Sequence, residues 1–456
     1  RVRSAIKNSM LDFPAKKIVI NLAPAELPKD GTFFDLPIAI SILTLSDQIK
    51  QREIKSKAFV GELSLSGELR PVKGIINILE KLRNSGINEV FIPLDNLESS
   101  SLIDGIKIIA AKNLKEIFLH LKGEKTITNQ IIEHNHEKAQ NQTALDDIIG
   151  QEQAKRALTI AIAGHHNILL TGPPGTGKTM LAQAALNLLP NLSKEEILEV
   201  LKIHGLVEDV DSKISRPFRT PHHTASKVSI IGGGSKALPG EISLAHNGVL
   251  FLDEMPEFPK SVLESLRQPL EDRKITISRT NRKSSYPANF MLIATMNPCP
   301  CGFYGDETKE CTCSPAQISN YQRKLSGPLI DRIDMVVNVN RIKNENLLKT
   351  TPSKKSEHAN AKKQIEKSLK LQHKRYGCSN LYNSMVKTNV VKNSFKISKE
   401  AEDLLNLATS KLDLSVRSYL KILKVSRTIA DLEESEEIKA NHISEAIQYR
   451  QKTETY

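Results

Sequence analysis

The sequence contains no uninterrupted apolar run near the roughly 20 residues a membrane-spanning helix needs, which argues against an embedded protein. It has only five cysteines, and four of them, Cys299, Cys301, Cys311 and Cys313, crowd into one stretch while Cys378 stands apart. A secreted disulfide framework disperses its cysteines, so that class is excluded and a reducing, cytoplasmic setting is expected. The opening RVRSAIKNSM lacks the apolar centre of a signal peptide and starts on Arg1 rather than Met, so an N-terminal piece is expected to be missing. Internal repeats and low-complexity tracts are absent as well, which sets aside repeat arrays.

Acidic residues are the minority charge: 52 Asp and Glu stand against 64 Lys and Arg, a formal net charge of +12. Such an excess points to a polyanionic partner, nucleic acid before an anionic membrane, or to no more than a solvated basic face. With 39% hydrophobic and 25% charged residues the chain can bury cores, and 456 residues exceed what one core organises, so two or three domains are expected.

Residues 1–122 alternate strand-like runs (KKIVINLAP, KAFVGELSLSG, NEVFIP, GIKIIAA) with helical ones (LPIAISILTLS, GIINILEKLRNSG), the pattern of a mixed α/β domain. Residues 123–144 turn to Glu, Lys, Gln, Asn and Thr without periodicity and read as a linker. Residues 145–342 carry the buried-strand runs NILLTG, GVLFLDE and NFMLIATMN between helical stretches, which fits a mostly parallel sheet covered on both faces. Residues 343–456 form an expected helical domain, whose first part, Lys343 to Gln372, is lysine-rich and reads as a solvated helix or mobile connection.

GPPGTGKT, Gly172 to Thr179, has the spacing of a phosphate-binding loop, follows the strand NILLT and opens the helix MLAQAALNLL. Gly175 and Gly177 let backbone amides close on phosphates, with Pro173 and Thr176 shaping the turn. Lys178 balances β/γ charge and the Thr179 hydroxyl can coordinate Mg2+. GVLFLDE ends a second apolar strand in Asp253, suited to hold the metal through water, and Glu254, suited to activate the attacking water. NFMLIATMN ends in Asn297, a polar sensor beside the γ-phosphate if its strand neighbours the loop strand.

Cys299-Pro-Cys301 and Cys311-Thr-Cys313 can offer four thiolates to a tetrahedral Zn2+, or else be buried free thiols; each pair is CxC rather than the commoner CxxC. His222 and His223, adjacent in RTPHHTAS, point to different sides of an extended chain and are expected to pack in a loop rather than ligate metal.

IIGQ (Ile148 to Gln151), GPPGTGKT, FLDE, ATMNP, GPLIDRIDM and LSVRSYLKILKVSRTIADLE together resemble the magnesium-chelatase-like branch of the AAA+ ATPases, over nearly the whole chain. The resemblance implies an ATP- and Mg2+-dependent motor in a homo-hexameric ring. Ile148 and Gly150 would lie at the nucleotide, Arg332 would be an arginine finger reaching into the neighbouring subunit's site, and Arg417 a second sensor from the helical lid. Singly, each arginine reads equally well as a surface ion pair. KITISRTNRKSSYPAN, between Lys274 and Asn289, reads as two short strands around a basic tip with Arg279, Arg282 and Lys283. In this branch such a hairpin enters the central pore, where cations can grip phosphates; a solvated hairpin is the alternative. KVSIIGGGSKALPGEIS resembles the family's insert in its second helix, a second pore element.

The first domain resembles the protease domain of the Lon type along PKDGTFFDLPIA and FVGELSLSGELRPVKGIINILEKLRNSGINEVFIP. Where that family has its nucleophilic serine this chain has Phe33, and where it has the activating lysine this chain has Ile76; neither Ser41 nor Lys73 aligns in their place. Without nucleophile and base there is no covalent route to peptide hydrolysis, so an inactive scaffold is expected.

The expected fold class is therefore α/β: a Lon-protease-like α/β N-terminal domain, an AAA+ P-loop αβα core and an all-helical C-terminal lid. The expected activity is a DNA-stimulated translocase or helicase that drives branch migration during recombination in natural transformation. Its partners would be single-stranded and branched DNA and recombination proteins, with no membrane. The rivals are metal insertion into a porphyrin and ATP-driven remodelling of a protein partner.

Overall fold

Ile168–Thr171, Val249–Leu252 and Met291–Met296 are apolar almost throughout, and strands of that composition need cover on both faces, as a parallel sheet under helices supplies. The structure, a computed structural model, describes residues 1–22, 32–128, 143–207, 215–234, 237–279, 282–341 and 357–450. It comprises two compact units, Arg1–Lys138 with Ser193–Ile214, and Ala139–Leu192 with Ser215–Tyr456.

In the first unit β1 (Lys57–Phe59), β2 (Glu89–Pro93) and β3 (Lys107–Ala111) form a parallel sheet in that order. Helices α1 (Asp35–Leu45), α2 (Ile75–Asn84) and α3 (Leu114–Lys122) accompany it. Leu36, Leu43, Phe91, Ile109 and Ile117 meet in its core. Helix α3 starts where the Asn113 side chain accepts from the Glu116 amide and stops at left-handed Gly123, the two signals that bound a helix. The run KKIVINLAP departs from expectation. Through Leu22 it forms no strand, with Ile18, Val19 and Ile20 exposed, and its last residues lie outside those described. β-branched composition makes a strand only where a neighbouring edge offers partners, and no described strand pairs with this run.

The helix Lys194–His204 follows the loop helix in sequence, yet it belongs to the first unit rather than to the core. There Lys202 pairs with Glu80 at 2.6 Å and its carbonyl accepts from Asn77 Nδ2 at 2.9 Å. These contacts span more than a hundred residues of chain, so nothing local in the sequence announces them.

In the second unit α4 (Glu152–Gly164) leads into β4 (Ile168–Thr171), and α5 (Lys178–Leu188) follows. Strands β5 (Phe218–Arg219), β6 (Val249–Leu252), β7 (Met291–Met296) and β8 (Met335–Asn338) complete a five-stranded, wholly parallel sheet of order β8-β4-β7-β6-β5. Alternation along the strands divides the core. Ile168, Leu170, Val249, Phe251 and Ile293 face one cluster, and Leu169, Leu250, Leu252, Leu292 and Ala294 face the other. Helix α6 (Arg267–Asp272) and an antiparallel hairpin, Lys274–Arg279 with Arg282–Pro287, lie between β6 and β7 in the chain.

The C-terminal helices α7 (Glu357–Tyr376), α8 (Lys399–Lys411), α9 (Val416–Leu432) and α10 (Ala440–Gln448) share the first of these clusters with the sheet. Residues 342–356 lie outside those described, but α7 is not the solvated connection that its lysines suggest. Ala361, Ile365, Leu369 and Gln372 are buried, four, four and three residues apart on one stripe, while Lys363, Lys367 and Lys370 are exposed. Gln372 Nε2 donates to the Ala163 carbonyl at 2.8 Å, and Lys155 pairs with Glu357 at 2.8 Å. No described helix is long and apolar enough to cross a membrane.

Candidate nucleotide site and its arginines

Parallel strands bring their carboxyl ends to one edge, and the chemistry-bearing segments follow β4, β6 and β7 there. The register aligns Thr171 with Met296, and β7 lies between β4 and β6, so Asn297 stands between Gly172 and the Asp253–Glu254 pair. Gly172 N donates to the Met296 carbonyl at 3.2 Å, and a Cβ at Gly172 would lie 2.2 Å from the Val339 carbonyl oxygen, so this close approach requires glycine. Gly175 and Gly177 adopt φ of 77° and 87°, which lets the chain turn into α5 at Lys178. Thr176 Oγ1 donates to the Pro173 carbonyl at 3.0 Å, and Thr179 is exposed at the start of the helix.

Lys178 is buried, and its Nζ donates to the carbonyls of Gly172 at 2.6 Å and Pro173 at 2.8 Å and to Asn297 Oδ1 at 3.2 Å. Burial lowers its pKa, against the opposing pull of Asp253 and Glu254. The ammonium thus rests on its own loop, next to Asn297 and within the field of both carboxylates. Thr295 ties the acidic pair down: its hydroxyl donates to Asp253 Oδ1 at 2.6 Å and accepts from the Glu254 amide at 2.9 Å. Glu254 is left-handed, φ 50°, an uncommon conformation for a side chain of its size, and it is exposed.

Ile148 is buried in the core, and Gly150 and Gln151 are left-handed in succession at φ 60° and 58°. Gln151 Nε2 donates to the carbonyls of Asn340 at 2.6 Å and Thr176 at 3.4 Å, tying the entry of α4 to the phosphate loop. Sequence reasoning passed over Thr295 and Gln151. Thr295 was visible as the inward residue two positions before Asn297; Gln151 carried no signal beyond its place in IIGQ.

The four cysteines come together beside this edge. Cys299 Sγ lies 3.3 Å from Cys301 Sγ and 3.7 Å from Cys311 Sγ, Cys301 and Cys311 are 3.6 Å apart, and all four sulfurs fall within 4.8 Å of one another. Ligands of a tetrahedral zinc–thiolate centre stand about 3.8 Å apart, so the donor set fits Zn2+. The backbone amide of Phe303 and the neighbouring thiols hold the Cys301 thiol down at about 5. The cysteine loop also abuts the phosphate loop, since a Cβ at Gly302 would meet Pro174 Cδ at 2.8 Å. Among the described residues no other group of three or more potential ligands gathers; the rings of His222 and His223 lie together rather than on different sides, tilted with centroids 4.1 Å apart, and His222 Nδ1 is 2.8 Å from Thr224 Oγ1.

Arg332 and Arg417 sit elsewhere. Arg332 precedes β8, at the amino-terminal edge of the sheet, where Asp334 Oδ2 accepts from the Asn167 amide at 2.9 Å just before β4. The two arginines meet on one carboxylate: Glu271 pairs with Arg332 Nη2 and, at 2.6 Å, with Arg417 Nη2. Within one subunit both therefore stand across the sheet from the phosphate loop, and no sequence signal pointed to Glu271. The hairpin register opposes Arg279 to Arg282 and Ser278 to Lys283, with Lys274 at the root opposite Pro287. The side chains of Arg279, Arg282 and Lys283 lie outside the described residues. Of the expected second pore element, Lys227–Ile231 is a short helix and Gly232–Gly233 pairs with Leu238–Pro239.

Comparison with known proteins finds matches along almost the whole chain. The family described as magnesium chelatase, subunit ChlI, matches residues 144–347, its C-terminal region matches 355–450, and the description subunit ChlI of Mg-chelatase matches 1–96. The competence protein ComM of Haemophilus influenzae is 43% identical over 457 residues, covering 99% of this chain and 88% of its own length. The chain belongs to the ComM/YifB family of magnesium-chelatase-like AAA+ proteins. YifB of Escherichia coli, also 43% identical, covers 99% of this chain and 88% of its own length. Membership of the ComM/YifB family carries the ATPase class and with it ATP and Mg2+ as cofactors. Lon protease 2 of Bacillus subtilis is 29% identical over 143 residues, 28% of this chain and 25% of that protein. In this ComM/YifB-family chain the Phe33 ring packs on that of Phe34, tilted by 35° with centroids 4.1 Å apart, and Ile76 is buried in α2, so neither position offers a nucleophile or a base.

Proposed function

We propose that this chain is a ring-forming ATPase, a homo-hexamer, that translocates on single-stranded and branched DNA and promotes branch migration during recombination in natural transformation. The observation that carries the DNA reading is the hairpin. Its register concentrates Arg279, Arg282 and Lys283 at one tip, and it is inserted between the strands that end in the acidic pair and in Asn297. Cations there bind phosphates with little regard to sequence, and the net charge of +12 favours the same partner. The name of the Haemophilus relative, a competence protein, supports the biological setting.

In each subunit the loop Gly172–Thr179 would cradle the phosphates, Thr179 and Asp253 would hold Mg2+, which neutralises phosphate charge, and Lys178, now on its own carbonyls, would serve the β/γ-phosphates. Glu254 orients the attacking water and Asn297 reads the γ-phosphate. Arg332 and Arg417, across the sheet from their own loop, serve the neighbouring subunit's nucleotide, so hydrolysis depends on subunit contact. The four cysteines would hold Zn2+, which would stiffen the loop whose Gly302 lies against Pro174 of the phosphate loop. The first unit acts as scaffold.

The deciding experiment measures ATP turnover with and without single-stranded DNA at low salt. Strong stimulation, lost when Arg279, Arg282 and Lys283 are neutralised and absent in Glu254→Gln, is the expected result. Turnover indifferent to DNA would move the assignment to protein remodelling or to metal insertion, neither of which needs a strand in the ring.

A further inference from the structure

Glu271 stands outside the phosphate site, yet it pairs with both the expected arginine finger and the expected second sensor. Its Oε2 pairs with Arg332 and its Oε1 with Arg417. Arg332 also gives Nη1 to the Pro328 carbonyl at 2.6 Å, while its Nε is buried with no hydrogen-bond partner among the described residues. Two guanidiniums on one carboxylate leave a net positive charge, and one of the two is incompletely satisfied. Both are held, but the fit is not final, because a guanidinium aimed at a phosphoryl group uses the same N–H face that now engages Glu271.

The connection from Glu271 to the hairpin is short and stiff. Arg273 adopts a left-handed φ of 53°, its amide donates to the Pro269 carbonyl at 3.0 Å to close α6, and its carbonyl accepts from the Ala288 amide at 2.8 Å. Its guanidinium bonds Asn289 Oδ1, just past the second hairpin strand. One residue thus clamps the end of the helix and the root of the hairpin together, with Lys274 opposite Pro287 as the first rung beyond it. A tilt of the hairpin has little slack in which to dissipate before it reaches Glu271.

We propose that Glu271 is a positioning residue that couples the hairpin to the arginines: it restrains Arg332 and Arg417 while the hairpin is empty, and releases them when a polyanion on the hairpin shifts the clamp at Arg273. This rests on the reading that the hairpin binds DNA and the arginines act in trans. Coupling needs only that the polyanion bind more tightly to the hairpin when Glu271 is withdrawn. DNA in the ring then licenses hydrolysis next door.

The test is steady-state ATP turnover of the full chain with and without an oligodeoxythymidine strand, for wild type, Glu271→Gln, Glu271→Asp and Arg332→Ala. Glu271→Gln keeps shape at an exposed position. It is expected to raise turnover without DNA by about tenfold, in kcat rather than in KM for ATP, and to bring the stimulation ratio close to one. Glu271→Asp, which keeps the carboxylate, should restore most of the ratio. Two results overturn the coupling alone, given a DNA-stimulated wild type and an inactive Arg332→Ala: Glu271→Gln stimulated like wild type, or its turnover without DNA falling toward that of Arg332→Ala. If wild type ignores the strand, or Arg332→Ala turns over normally, the underlying reading fails and the coupling falls with it.

Discussion

The two edges of the parallel sheet are built on opposite principles. At the carboxyl edge Lys178 rests on carbonyls of its own loop, Thr295 satisfies Asp253, and the cysteines close on one another. Every group needed to receive a nucleotide comes from one chain. At the amino edge the cations Arg332 and Arg417 share Glu271. One edge gathers the groups expected at a nucleotide; the other gathers two cations on one carboxylate. The difference teaches that the direction of the strands keeps the two sets of groups apart within the chain, since the segments that follow β4, β6 and β7 leave one edge and Arg332 precedes β8 at the other.

Substitutions can break that division. The largest effect is expected at the amino edge: Arg332→Ala should lower kcat by about a thousand-fold or more, the scale of an arginine finger, with nucleotide binding largely kept. Mixing Arg332→Ala with Lys178→Ala protein should recover turnover, because some interfaces then pair an intact loop with an intact arginine; no recovery would mean that Arg332 serves its own subunit. At the carboxyl edge Glu254→Gln should cost about a hundred- to ten-thousand-fold in kcat while still binding ATP, measured by single-turnover kinetics. Mixing should not rescue it at its own sites.

The cysteine loop sharpens the contrast without touching the chemistry. Purified protein is expected to hold about one Zn2+ per chain, and Cys311→Ser or chelation should lower Tm by roughly 5–10 °C. Metal content near zero with an unchanged Tm would leave four free thiols. The smallest effect is expected at Asp334, which anchors the start of β4 and faces His166 and Lys421. Burial raises its pKa, but the His166 hydrogen bond, the Lys421 charge and the Asn167 amide together hold it down at about 2. A depressed carboxylate stabilises the fold above its unfolded value and loses that contribution as pH falls through the folded one. Asp334→Asn should therefore cost about 2 kcal/mol at neutral pH, and the gap to wild type should close between about pH 4 and pH 2 in denaturant titrations.

Local chemistry made much of this readable. A glycine-rich loop needs glycine at Gly172 because a carbonyl passes 2.2 Å from where a Cβ would sit, and at Gly175 and Gly177 because φ is positive there; such demands leave a fixed sequence spacing. The apolar strands ending in Asp253–Glu254 and Asn297 were equally plain, since strands buried on both faces admit little else. The cysteines announced their own proximity. Composition misled where partners decide the outcome: KKIVINLAP has strand residues but no pairing edge among the described residues, and the lysines of α7 hid the stripe of Ala361, Ile365 and Leu369.

The sequence by itself determined the chemistry of the nucleotide pocket, because each residue there answers to a ligand whose shape is fixed. Only the tertiary structure decided which groups share an edge. Strand order set Asn297 between the loop and the acids, Glu271 joined arginines 61 and 146 residues away, and Lys194–His204 went to the first unit. Such contacts pair surfaces rather than neighbours along the chain, so they leave no periodicity or spacing behind.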